Sequence, residues 1–145
     1  MSSPTDITPD EYNAQVITEF RAKQGQVGGN WEGTPMILLH HVGAKSGETR
    51  VNPVGYLPNE GRYVVFASNG GAPTSPGWYH NLKARPSTCI EVGAETVDVF
   101  AEEATGEERE RLFGLGAARF PQLGEHAQRT DRVIPVIVIT ARPRT

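Results

Sequence analysis

Between residues 36 and 140 the chain holds six short runs rich in β-branched and apolar residues, separated by turn chemistry, and this pattern narrows the fold most. The runs are 36–42, 50–57, 62–68, 88–92, 96–101 and 134–140. Pro58-Asn59-Glu60-Gly61 joins the second and third runs, and Gly93-Ala94-Glu95 the fourth and fifth, so both pairs are expected as hairpins. The last run, IPVIVIT, is apolar on both alternations and is expected as a central strand covered on both faces. Short, mostly hairpin-linked strands with few helices predict a mainly β (α+β) domain, a closed or split antiparallel barrel of six strands.

Two helices frame this unit. Thr8-Pro9-Asp10-Glu11 carries a helix start, with Thr8 as N-cap, proline at the first position and Glu11 closing a capping box. Tyr12, Val16, Ile17 and Phe20 follow at helical spacing; the stripe either docks on the domain or makes the helix a lid. Gly28, Gly29 and Gly33 mark a connector in which Trp31 is an anchor or a ligand contact. Thr105-Gly106-Glu107-Glu108 is a second capping box, opening a helix through Leu112, Phe113 and Leu115 to about Phe120. The chain divides into an N-terminal tail and helix over 1–32 and a barrel over 33–145.

Composition removes several function classes. A net charge of -3 opposes a general nucleic-acid binder. Cys89 is the only cysteine, which excludes an internal disulfide and a multi-cysteine metal site, and it is expected in the core. His40 and His41 are strand neighbours on opposite faces and cannot easily share a metal. Neither G-x-S-x-G, a Walker loop nor G-x-G-x-x-G is present. No signal-type or membrane-spanning segment is found, so a cytosolic protein is expected. Peripheral contact at the inner membrane and the oligomeric state stay open.

Two stretches carry candidate chemistry. After the first run, Gly43, Lys45, Ser46, Gly47 and Arg50 form a tight glycine turn flanked by two cations. Such a turn is either an anion site or a hairpin turn with solvated charges. After the third run come Ser68, Asn69, Gly70, Gly71 and Pro73, and then Pro76, which can start a short helix carrying Trp78, Tyr79, Asn81 and Leu82. If both loops meet at one rim, Lys45, Arg50, Ser68, Trp78 and Asn81 surround one cleft. Alternatively, Trp78 and Leu82 plug the barrel end. These residues identify a basic, glycine-lined cleft and no reaction.

The segments HVGAKSGETRVNPVGYL, VVFASNGGAPTSPGWYHNLKARP, DVFAEEATGEERERLF and TDRVIPVIVIT resemble the deazaflavin-dependent nitroreductase and quinone-reductase family. The resemblance implies a split β-barrel related to the flavin-binding barrels. Its cofactor would be coenzyme F-420, an 8-hydroxy-5-deazaflavin with an oligoglutamate tail. By resemblance, Lys45, Ser46, Gly47 and Arg50 hold the phosphate and the start of that tail. Val51, Asn52, Pro53, Phe66, Ala67 and Ser68 line the ring, and Gly77, Trp78, Tyr79, His80 and Asn81 close the other side. Phe120, Leu123 and His126 shape the acceptor pocket.

Where many members carry further cations this chain has Ala44 and Asn69, each replacement costing on the order of 1 kcal/mol of tail binding. Tyrosines common in nitroreductase-type members are absent, which favours enones, unsaturated lactones and quinones over bulky nitro compounds. The implied reaction is hydride transfer from the reduced coenzyme, with the proton coming from solvent or from Ser68 or Tyr79. An FMN-dependent oxidoreductase on the same barrel, or a non-catalytic deazaflavin carrier, are the alternatives.

Overall fold

The computed structural model describes residues 9–28, 33–68 and 74–142. Thr8, Gly29, Trp31, Asn69, Gly70, Gly71 and Pro73, singled out above, lie outside the described residues. The elements run α1 (Pro9–Ala22), β1 (Met36–Val42), β2 (Thr49–Gly55), β3 (Leu57–Asn59), β4 (Arg62–Phe66), α2 (Gly77–Ala84), β5 (Ser87–Val92), β6 (Glu95–Glu103), α3 (Gly106–Arg119), α4 (Pro121–Gln128) and β7 (Val136–Ala141). No helix among the described residues is long and apolar enough to cross a membrane.

The strands form one antiparallel sheet of order β2-β1-β5-β6-β7-β4-β3, curled into a split barrel. Among the described residues there are seven strands because the run expected over 50–57 divides at Tyr56, whose N–H makes the last bond on the β1 side, to the Pro35 carbonyl at 3.0 Å. Before the break the backbone pairs with β1; after it, β3 pairs with β4 at the opposite end of the sheet. The β3–β4 hairpin turns through Glu60 and Gly61, both at positive φ (54° and 77°), the conformation a two-residue hairpin loop needs. The β5–β6 hairpin turns at Gly93-Ala94.

Covering follows the alternation of each strand. Ile137 and Ile139 of β7 point into the barrel with Ile37, Leu39, Ile90 and Val99. Val136 and Val138 point outward against Leu112 of α3. β1 is covered likewise, with Met36 and Leu38 packing under Val16 and Phe20 of α1. α1 is further held by Arg21, which donates from Nε and Nη2 to the Glu91 carboxylate at 3.1 and 2.8 Å. His40 Nε2 lies 2.7 Å from the same carboxylate.

Three expectations change. Thr105 is the N-cap of α3, but its side chain makes no capping bond, and Glu108 turns instead to Arg111 and Arg62. The helix expected to about Phe120 ends at Arg119, but a second, unexpected helix follows it. Pro121 forces the preceding residue out of the helical region (φ -125°, ψ 89°) and then starts α4. Cys89 is half-buried rather than in the core, and burial, with Asp98 and Glu91 nearby, pushes its thiol up.

A buried histidine ties the three elements that frame the barrel mouth. His41 is 3 % exposed. Its Nε2–H donates to Asn52 Oδ1 of β2 at 2.7 Å, and its Nδ1 accepts from Asn81 Nδ2 of α2 at 2.9 Å. Asn81 Oδ1 accepts the Ala44 N–H at 2.9 Å, which leaves its amide nitrogen as the donor and so fixes the histidine tautomer. Burial, opposed by the Asn52 bond and helped by Arg50 and His40, holds the imidazole below its ordinary 6.5.

A base whose folded pKa lies below its unfolded value takes up a proton more readily when unfolded. Its contribution is therefore neutral above about pH 6.5 and turns destabilising as pH falls below that value. Urea midpoints should decline between about pH 7.5 and 5.5, and decline less in His41→Gln. Equal declines in both proteins would remove His41 as the source.

Candidate functional site

β1 ends in a turn that its own backbone closes. Gly43 N–H donates to the Glu48 carbonyl at 2.8 Å and Gly47 N–H to the Gly43 carbonyl at 2.9 Å. Gly47 sits at φ 72°, a conformation that favours glycine. The Ala44–Asn81 bond docks this turn on α2, so the turn is held from two sides. Lys45, Ser46 and Gly47 are exposed at its tip. Lys45 pairs with no carboxylate among the described residues. Arg50, on the first residues of β2, makes only a loose exposed pair with Glu48 at 3.8 Å. Two cations therefore stand over a ring of backbone turns with little internal neutralisation.

β2 runs from this turn into a cleft of about 470 Å³, within the range of small-molecule sites. Asn52, Pro53, Val54 and Gly55 form one wall, and Phe66 and Ser68 at the end of β4 another. Pro76 and Trp78 of α2 close one end; Phe120, Gln122, Leu123 and His126 of the α4 region close the other. Tyr12 of α1 and Thr34 stand at the margin. The cleft lies where the sheet is not closed. Among the described residues β2 pairs with β1 alone, so its other edge keeps backbone N–H and C=O groups available to a flat polar ligand.

Each described residue named from the sequence for the site has a definite place. Asn52, Pro53, Phe66, Ser68, Trp78, Phe120, Leu123 and His126 come together in the cleft. Trp78 is both wall and plug, since it is 7 % exposed and packs in the barrel core with Leu82 and Ile37. Lys45, Ser46, Gly47 and Arg50 stand at the turn, and Asn81 supports it. Val51 packs toward α1, and Ala67 is fully buried in the barrel. Gly77 and His80 are exposed and do not line the cleft.

Tyr79 points elsewhere. Its hydroxyl donates to Glu103 Oε1 at 2.7 Å, and burial together with that bond pushes it up to about 12. It lines a larger hollow of about 880 Å³ beside Glu103, Glu107, Glu110, Arg109 and Arg132. Size does not make that hollow the better site. Its guanidiniums are committed to carbonyls, Arg109 to Ile134 and Arg132 to Ala67 and Ser68, and three carboxylates on its rim repel anions.

Tyr12, Thr34, Val54, Gly55, Gln122 and the supporting His41 were not reached from the sequence as site residues. Val54 and Gly55 continue a strand already assigned to the wall. Tyr12 read as part of a core stripe but is 37 % exposed.

The arrangement suits a flat, polar-edged ring with an anionic arm: cations and turn amides for the arm, a free strand edge and aromatic walls for the ring. Comparison with known proteins agrees. Residues 13–141 match the family model of the F-420H(2)-dependent quinone reductases. An F-420H(2)-dependent quinone reductase of Mycobacterium tuberculosis is 37% identical over 130 residues, 85% of each chain. The solved structure of an F-420-H2-dependent reductase (FDR-A) superposes with a TM-score of 0.66 at 39% identity, over 72% of this chain and 93% of that one. A second solved chain, described as a domain-swapped dimer, gives 0.68 at 35% identity over 91% and 99%. The chain belongs to the F-420H(2)-dependent quinone reductase family.

Proposed function

We propose that this chain transfers a hydride from reduced coenzyme F-420 to a quinone-type or other conjugated acceptor in the cleft between β2, β4 and α4. One observation carries the reading: β2 leads from the cationic turn straight into the aromatic-walled cleft. A molecule with an anionic arm and a flat ring would be served by one strand. Lys45 and Arg50 hold the phosphate and the first acidic groups of the tail. The free edge of β2 from Asn52 to Gly55 hydrogen-bonds the ring. When bound, the coenzyme supplies the hydride; the protein supplies orientation and exclusion of water.

Phe66, Trp78, Phe120 and Leu123 give the acceptor an apolar chamber. The cleft lining suits enones, unsaturated lactones and quinones, with nitro compounds a lesser use. The 1–32 segment belongs to the site through Tyr12, and the barrel proper is 33–145. The packing of Phe20 and the Arg21–Glu91 pair support α1 as a fixed wall rather than a hinged lid.

The test is a fluorescence titration of the protein with F-420 beside one with FMN. Saturable binding of the deazaflavin with turnover of menadione or cyclohexenone is expected. Preference for FMN would move the function to a flavin enzyme, and binding without turnover of any acceptor would make the chain a carrier. Lys45→Ala should weaken F-420 binding about 5- to 10-fold, the scale of one partly exposed charge-assisted contact. Its unfolding midpoint should barely move, since the side chain is exposed. Unchanged affinity would remove the phosphate assignment.

A further inference from the structure

One pair of side chains in the cleft has chemistry that binding alone does not use. His126 Nδ1 lies 3.2 Å from Ser68 Oγ, and both line the cleft. Of the lining side chains among the described residues, only Tyr12 and His126 can change protonation, and none is a carboxylate, lysine or arginine. Imidazole is the side chain that ordinarily titrates between about pH 5 and 8, whereas phenols hold their proton there.

The pair is held from two sides. Arg132 Nη2 donates to the carbonyls of Ser68 and Ala67 at 2.8 and 3.1 Å, and its Nη1 to Ser75 Oγ at 3.1 Å. His126 follows buried Leu123 by three residues on α4, so that anchor sets the face from which the ring projects.

We propose that Ser68 and His126 form a proton relay to the reduced acceptor. This rests on the hydride-transfer reading above. Hydride addition to the electrophilic carbon of an enone or quinone moves the π pair onto the carbonyl oxygen. An O–H bond forms there as the Ser68 Oγ–H bond breaks. The serine oxygen takes the Nδ1 proton of the His126 imidazolium in the same event, and solvent reprotonates the imidazole. The acceptor gains one hydride and one proton. The reduced deazaflavin is the two-electron reductant, and its remaining ring proton goes to solvent. Ser68 is the catalytic residue and His126 the positioning residue that acts through it.

The charged groups around His126 are turned to other partners or lie outward. Arg119 at the end of α3 donates to the Gly33 carbonyl at 2.9 Å. Arg132 is held as described. On α2, Lys83 pairs with Glu103 at 3.0 Å and His80 is exposed. Glu11 on α1, Arg50 on β2, Glu125 on α4 and Arg129 just after it are exposed. Tyr12 faces the same cleft.

The experiment compares wild type, His126→Gln and Ser68→Ala in two readouts. In steady-state reduction of cyclohexenone with excess reduced coenzyme, wild-type kcat should fall as pH is raised, because the imidazolium is the proton source. Both variants should be about 10- to 100-fold slower near neutrality and lack that fall. Without turnover, the anion of cyclohexane-1,3-dione is bound as an enolate mimic to protein loaded with oxidised coenzyme. Calorimetry in two buffers of different ionisation enthalpy should show proton uptake in wild type and none in His126→Gln.

Variants that bind coenzyme normally yet keep the wild-type profile and proton uptake would overturn the relay and leave the hydride-transfer reading standing. Wild type that fails to bind the coenzyme would overturn both. Should His126→Gln not fold, Ser68→Ala, a smaller change, decides the question on the same pH profile.

Discussion

Residues 49–59 serve both ends of one sheet: as far as Gly55 the backbone pairs with β1, and beyond Tyr56 it pairs with β4. The same stretch of chain therefore joins the two edges covalently without hydrogen-bonding them to one another. A seam with a free strand edge is the direct result, and the cleft occupies it. Had the strand continued straight through Tyr56, β3 could not reach β4, and the ring-sized gap between β2 and Ser68 would not exist. The bend is the geometric condition for the site.

Holding that seam in shape falls to groups distant in sequence. His41 carries no charge in its buried setting and bonds at both nitrogens, one to β2 and one to α2. Through Asn81 the same network reaches the backbone of the cationic turn. Turn, strand and helix are thus fixed relative to one another by four polar groups, each with its partner, which is the condition under which a buried polar network rigidifies rather than weakens a core. On the other flank Arg132 pins the end of β4, and the break at Phe120–Pro121 swings α4 across the cleft.

Much of this was legible in the chain. The hairpin at Glu60-Gly61, the double coverage of the final strand and the turn flanked by Lys45 and Arg50 all follow from local residue chemistry. What escaped depends on distant partners or on subtle geometry. The run 50–57 reads as one stretch because Gly55 alone, with no polar cluster beside it, does not announce a bend; the division shows only in the different strands that its two halves pair with. The tying role of His41 could not be read locally because its two asparagine partners lie 11 and 40 residues away. Tyr12 fitted a helical stripe, yet the stripe's first member overhangs the cleft where the sheet ends. Tyr79, assigned to the ring site by resemblance, is drawn by Glu103 to the other side of α2.

Among the described residues β2 and β3 are the strands with an unpartnered edge, and each contains a proline, Pro53 and Pro58. Sheet ends with free amides recruit strands from other chains, and proline, having no N–H, interrupts such recruitment. A protein that must leave a strand edge open to receive a small flat molecule also leaves it open to its own copies. Pro53 on the open strand admits the first and discourages the second. The seam therefore carries its own protection against stacking into fibres, written into the strand that forms the binding wall.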